Sequence, residues 1–310
     1  VDPARTLDRR RFLSAAIGIA AAVPFIGEIR HAAASTEATQ GAPAMSPEKP
    51  LPGRMPVLFI GHGSPMNAIE DNEWSRQFRS LATSLPRPRT VLSISAHWFV
   101  PGTFLTGNER PKTIHDFGGF PQALFDMQYP APGDVELAKR VVDLLGPERA
   151  SIRSDWGLDH GTWTVLHYLL PKADCPVVQL SIDERMAPAG HLALGRVLAP
   201  LRDAGVLVLG SGNIVHNLRY AMTNAARGDL STPDWAAAFD ADIARAIEQH
   251  DGAYLASAVE NANGKMSHPT LDHFLPLLYA AGAADPSDAV RFPIQGFDYG
   301  SLSMRAVRFG

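Results

Sequence analysis

The sequence predicts an α/β domain whose sheet is covered on both faces. Short apolar runs of strand length end in glycine-containing turns, and amphipathic helical patterns lie between them. The composition is that of a globular protein: of 310 residues, 45% are hydrophobic and 19% charged, which excludes a disordered chain. A chain of this length can bury a full core as one large domain or two small ones.

Taken in order, Met55 to Ile60 (MPVLFI) reads as a buried strand running into Gly61-His62-Gly63. Arg89 to Ile94 (RTVLSI) is a second, ending in Ser95-Ala96-His97-Trp98. Val135, Leu137, Ala138, Val141, Val142 and Leu145 share one helical face. Pro176 to Ile182 is a third strand, and Val206 to Leu209 a fourth that runs into Gly210-Ser211-Gly212-Asn213. Trp235, Phe239, Ile243 and Ile247 recur every four residues, as a buried helix face requires. Continuous apolar strands alternating with such helices are buried on both sides. The tail from Ser301 to Phe309 alternates instead, and reads as an edge strand.

The 28 basic and 32 acidic side chains leave no polybasic patch suited to nucleic acid. One cysteine, Cys175, excludes an intramolecular disulfide framework and a zinc–thiolate cluster. The long apolar run, Ser14 to Ile26, is too short and too rich in alanine for a membrane span. With Arg9-Arg10-Arg11-Phe12-Leu13 before it and Ala32-Ala33-Ala34 after it, residues 1–34 read as a twin-arginine-type signal peptide, which implies a periplasmic protein exported already folded. Residues 35–54, rich in Pro, Ala and Ser, read as a flexible leader. Residues 55–310 are then the folded domain.

In open α/β sheets, ligands bind beyond the carboxyl ends of the strands. His62, His97 and His216 each follow an apolar run closely. Three imidazoles with no thiolate suit zinc or iron and leave coordination positions open. His115, His167, His191, His250 and His268 read as ordinary hydrogen-bonded or core residues. No HExxH, GxSxG, Walker loop or GxGxxG follows a strand, so the common hydrolase and nucleotide signatures are missing.

The blocks MPVLFIGHGSPMNAIEDN, SAHWFVPGT, TIHDFGGFPQALFDMQYPAPG, WGLDHGTWTVL, PVVQLSID, GSGNIVHNLR, HPTLDHFLPLLYAAGA and GSLSMRAVRFG closely resemble the 4,5-DOPA extradiol dioxygenase family, within the class III (LigB-type) extradiol ring-cleaving dioxygenases. The resemblance runs from about Met55 to Gly310. It implies a single α/β domain with a central mixed sheet flanked by helices, and a mononuclear metal held by histidines from separate loops. By position it implies His62, His97 and His273 as metal ligands, and His216 as a fourth ligand or an adjacent acid/base. His160 is implied as the catalytic residue that contacts substrate or oxygen.

The substrates so implied are a small aromatic diol, DOPA-like, and O2, with Fe(II) as the catalytic metal. A shell of three neutral imidazoles carries less negative charge than two histidines and a carboxylate, so Zn(II) is a second expected occupant. His216 or His160 would exchange the diol protons, since an unperturbed imidazole titrates near pH 6.5. Asp159 and Asp155 read as ordinary solvated or capping carboxylates, or else one of them orients a ligand imidazole through its second nitrogen. Trp98, Phe117, Phe120 and Trp163 read as core packing, or else as the walls of an aromatic pocket. The sequence also admits a periplasmic zinc hydrolase using metal-bound hydroxide, and a metal-binding protein without catalysis. Oligomeric state is left open.

Overall fold

The computed structural model describes residues 53–310. The signal peptide and leader expected from the sequence therefore lie outside the described residues, apart from Gly53 and Arg54 of the leader. The described chain runs β1 (Val57–Gly61), α1 (Glu73–Thr83), β2 (Thr90–Val100), β3 (Thr103–Thr106), α2 (Gln122–Phe125), α3 (Val135–Leu145), β4 (Ala150–Arg153) and α4 (His160–Leu169). It continues through β5 (Val177–Asp183), α5 (Pro188–Leu198), β6 (Val206–Gly212), α6 (Leu218–Ala226), α7 (Asp234–Glu248), α8 (Gly252–Ser257), α9 (Ala262–Ser267) and α10 (Leu275–Ala283). It closes with β7 (Val290–Ile294), β8 (Phe297–Asp298), β9 (Leu302–Ser303) and β10 (Ala306–Phe309). No helix among the described residues is long and apolar enough to cross a membrane.

One domain forms around a mixed sheet of order β4-β3-β5-β2-β6-β1-β10-β7. The four strands expected from their apolar runs are its centre: β5, β2, β6 and β1 are mutually parallel. Side chains alternate across the sheet as the two-residue period demands. Val57 and Phe59 enter a core with Val141, Phe239, Ile243 and Leu278 on one face. Leu58 and Ile60 enter a second core with Trp74, Phe78, Trp163 and Leu166 on the other. Both helical patterns read from sequence appear, as α3 and α7.

Two strand expectations are corrected. The C-terminal strand is interior, because β10 pairs antiparallel with β1 on one side and with β7 on the other. The edge belongs to β7, whose Pro293 cannot donate to a further ladder. The second strand does not end at Ile94. It runs on to Val100, with a break in register against β5 between Ile94 and Phe99. Such a break re-aims the side chains within it, and His97 lies there.

Remote contacts tie the ends of the domain together. Arg202 is 1% exposed and donates to Met55 O (2.7 Å), Ala283 O (3.2 Å) and both carboxylate oxygens of Asp288 (2.6 and 3.1 Å). These four hydrogen bonds, two of them to a carboxylate, are what make a guanidinium tolerable at that depth. Arg305 and Asp240 form a second buried pair, and Asp240 also accepts from Ser303 Oγ (2.6 Å). Ser303 in turn accepts from Asn213 Nδ2 (2.8 Å) and donates its N–H to Val215 O (3.0 Å). The segment leading to His216 is thus backed by β9.

His191 is fully buried between the Tyr279 hydroxyl and Met186 O, and burial lowers its pKa to about 4. Burial likewise lowers His268 to about 4. Both were read as ordinary histidines, and both have core partners. An imidazole held neutral in the folded state and protonated near pH 6.5 when unfolded makes the unfolded chain bind more protons in between. Stability should therefore fall as pH drops from about 6.5 to 4, by up to about 3 kcal/mol per such group, and level off below. Urea titrations of the metal-free domain across that window check this, and a flat profile would contradict neutral burial.

Candidate metal centre

The register of the central strands places the first two histidines. Ser211 on β6 lies level with Ile60 on β1 and with Ser95 on β2. His62 and His97 are each two residues further on, from strands flanking β6. Their backbones stand about two strand spacings apart, roughly 9.6 Å, yet the ring centroids are 5.1 Å apart. The two side chains lean together over the end of β6, and His97 Nε2 sits 3.2 Å from His62 Nε2.

His160 arrives from the helix. Asp159 caps α4 by accepting from Thr162 N (3.2 Å), which puts His160 at the first helical position. Its ring lies 3.8 Å from that of His97 and 5.7 Å from that of His62. His273, just ahead of α10, is 5.2 Å from His62 and 5.1 Å from His97. His216 stacks on His273 at 3.5 Å and 3°, and its N–H donates to Ser267 O. All five histidines singled out by the sequence therefore meet at the carboxyl end of the sheet. Among the described residues the tightest trio with metal-holding spacing is His62, His97 and His160, whose donor atoms lie within 4.8 Å of one another.

Close approach of α4 depends on Gly161. A Cβ there would lie 2.4 Å from Ser95 Oγ and 2.9 Å from His97 Cδ2. At Gly63 the backbone has φ of +63°, and a Cβ would lie 2.5 Å from Met304 Sδ. That turn after His62 therefore needs glycine twice over.

The outer nitrogens are held. Ser211 Oγ donates its single proton to Gly161 O (2.5 Å), so it accepts from His62 Nδ1 (3.0 Å). His62 consequently presents a bare Nε2 lone pair to the cluster. Asp116 Oδ2 lies 3.1 Å from His97 Nδ1 and 3.0 Å from His160 Nδ1. Asp272 Oδ2 lies 2.5 Å from His273 Nδ1. Burial, then the neighbouring imidazoles, lower His62 well below its ordinary value. Burial and His97 bring His160 to about 4. Burial outweighs Asp272 at His273, and burial with His273 lowers His216 well below the usual range. At His97 burial acts downward too, but the hydrogen bond and charge of Asp116 prevail and raise it. Asp116 itself is pushed up by burial and held well below the carboxylate range by His160 and His97.

This donor set fits a divalent metal. Metal–nitrogen bonds of about 2.0–2.1 Å put neighbouring nitrogens of a tetrahedral shell about 3.4 Å apart, close to the 3.2 Å between His62 and His97. Mostly neutral imidazoles facing one another at that range need either a proton or a cation between them, and a cation displaces the proton.

Of the two readings open to Asp155 and Asp159, the structure takes the solvated and the capping one. Asp155 pairs with exposed Arg153 instead of an imidazole. Asp159 caps α4 and accepts from Gln179, and burial with the Asp116 charge raises it to about 6. The carboxylates against the rings are Asp116 and Asp272. Both stand inside motif blocks, Asp272 immediately before its histidine, and that adjacency was the available signal. Trp98 stacks on Trp156 within the core, and fully buried Trp163 donates to Ile114 O (2.9 Å). The half-buried aromatic surface beside the cluster is Phe117, 5.4 Å from His160, backed by Phe120 and by Phe125.

Residues 56–310 match the family described as the catalytic LigB subunit of aromatic ring-opening dioxygenase. The chain belongs to the LigB family. It is 47% identical over 264 residues to the 4,5-DOPA dioxygenase extradiol of Escherichia coli (strain K12), covering 83% of this chain and 95% of that protein. It is 38% identical over 263 residues to the protein of the same description from Beta vulgaris, covering 82% and 96%. The crystal structure of an uncharacterized protein from Escherichia coli K12 superposes with a TM-score of 0.73 at 41% identity, covering 83% of this chain and all of that one. This LigB protein is an aromatic ring-opening extradiol dioxygenase, a metal-dependent enzyme acting on an aromatic substrate and O2.

Gly161→Ala should lower metal affinity at least about tenfold while leaving helix content unchanged. Alanine is the better helix former, so a loss can come only from crowding Ser95 and His97. Chelator-competition titrations check it, and undiminished affinity would show that α4 has room to spare.

Proposed function

We propose that this enzyme opens a catecholic, DOPA-like ring beside its diol, using one metal ion held by the imidazole cluster. The observation that carries this is the inward convergence of Nε2 atoms on rings whose Nδ1 sides are occupied by Ser211, Asp116 and Asp272. Such a cluster offers donors without enclosing the site. Fe(II), when bound, supplies charge stabilisation for a catecholate and a route for electrons to dioxygen, whereas Zn(II) supplies only the first. Fe(II) is proposed as the catalytic metal and Zn(II) as an alternative occupant.

In this reading His62, His97 and His273 hold the metal and His216 lies beside them. His160 takes a proton from a diol hydroxyl at Nε2 and returns one as the ring opens. Asp116, beside its Nδ1, stabilises the imidazolium that forms. Phe117 and Phe120 offer ring edges and faces against which an aromatic substrate packs and excludes water. The spacing of His62, His97 and His160 favours a second ligand set in which His160 replaces His273. We also propose the periplasm as destination, on the sequence of residues 1–34 alone; export should fail when Arg9-Arg10 is replaced by Lys-Lys.

Anaerobic loading of the metal-free protein with Fe(II) or Zn(II), then O2 uptake with a panel of catechols, tests the reaction. Uptake with iron only and a ring-opened product is expected. Tight binding of either metal without uptake on any catechol would overturn the reading in favour of a zinc hydrolase. Two variants separate the ligand sets. His160→Ala should keep stoichiometric metal and lose about 10²–10⁴-fold in turnover, whereas His273→Ala should lose the metal. The reverse pattern would assign His160 to the metal.

A further inference from the structure

Asp116 stands where one carboxylate faces two imidazoles. Its Oδ2 is 3.1 Å from His97 Nδ1 and 3.0 Å from His160 Nδ1, while its Oδ1 accepts the backbone N–H of His160 at 2.9 Å. The approach to His160 is off the N–H direction, so that contact is one of charge more than a straight hydrogen bond. The Asp116 side chain is 17% exposed.

Its loop is fixed from outside the cluster. Ile114 O accepts from Trp163 Nε1 (2.9 Å), Ile114 N donates to Leu158 O (2.7 Å), and His115 Nε2 lies 2.9 Å from Met127 O. Phe117, the next residue, packs edge-on against the His160 ring. The anchors at Ile114 and His115, with the packing of Phe117 on Phe125 and Trp163, hold this carboxylate in place in addition to its contacts with the two histidines.

We propose that Asp116 is a positioning residue that sets His97 and His160 together, keeping the proton of each neutral ring on Nδ1 and both Nε2 lone pairs toward the centre. A carboxylate has no proton to give. An Nδ1 lone pair facing it at 3 Å would be repelled, whereas an Nδ1–H is attracted, so the shared oxygen selects the same tautomer in both rings. The charge that the neutral imidazole shell lacks is carried by this carboxylate one bond network further out. Asp272 does the same for His273 alone, which makes Asp116 the one carboxylate among the described residues that serves two rings of the cluster. The assignment of His97 as a ligand rests on the function proposed above; the tautomers do not.

Asparagine at 116 keeps the shape but presents one acceptor and one donor face. An amide N–H turned toward either ring forces that ring to accept at Nδ1 and to carry its proton on Nε2, where it blocks the metal. Nitrogen-15 imidazole spectra of the metal-free protein at mildly alkaline pH read the tautomers directly. In the unmodified protein His97 and His160 should both carry the proton on Nδ1. In Asp116→Asn at least one should move it to Nε2, and Zn(II) affinity by chelator competition should fall roughly 10–100-fold. A bare Nδ1 on either ring in the unmodified protein overturns the proposal, and so do unchanged tautomers or affinity in Asp116→Asn; a proton shared between the facing Nε2 atoms of His97 and His62 (3.2 Å) leaves the Nδ1 readout unaffected. Should the variant fail to fold, the unmodified spectrum decides alone. Absence of catechol cleavage would remove the dioxygenase reading and leave the tautomer result standing.

Discussion

Five imidazoles packed at the end of one sheet impose the constraint on which this structure turns. Neighbouring rings among them lie 3.5–5.7 Å apart, too close for most of them to be protonated together. Burial and mutual repulsion hold His62, His160, His216 and His273 below their ordinary values. Neutral imidazoles are also what a metal requires. The same packing that makes the cluster costly without a cation makes it ready to receive one, and the surrounding polar groups follow from that. Ser211, Asp116 and Asp272 stand on the outer nitrogens, where they hold the rings without competing for the inner ones.

The sheet makes this packing possible by removing side chains where backbones must meet. A Cβ at Gly212 would lie 2.1 Å from His273 O, and one at Gly210 would lie 2.5 Å from Pro276 O. These glycines let α10 press onto the end of β6 and bring His273 within reach of His62. Gly161 does the same for α4 from the opposite face. The clustered histidines thus come from both layers and meet over the one strand, β6, that lies between β1 and β2.

Much of this was visible as local pattern. The four central strands, the helices α3 and α7 and the five site histidines could all be read from apolar periodicity or motif blocks. Periodicity is a local property, and these strands are buried on both faces, so their composition announces them. Short strands such as β3, β4 and β7 carry no comparable signal. β7 is defined by its antiparallel pairing with β10, a contact remote from any local pattern. The alternation of Ser301 to Phe309 was a poor guide to position, since packing within the domain covers both sides of that strand.

By itself the sequence determined the fold class, the family and the identity of the histidines, because each of these is written in residue order and spacing. Tertiary structure alone decided which carboxylates serve them. Asp155 and Asp159 lie close to His160 in the chain but turn to Arg153 and to the helix N-terminus. Asp116 is 44 residues away from His160 and touches it. A hydrogen bond depends on distance in space, and chain separation fixes that distance only within a turn or two of backbone.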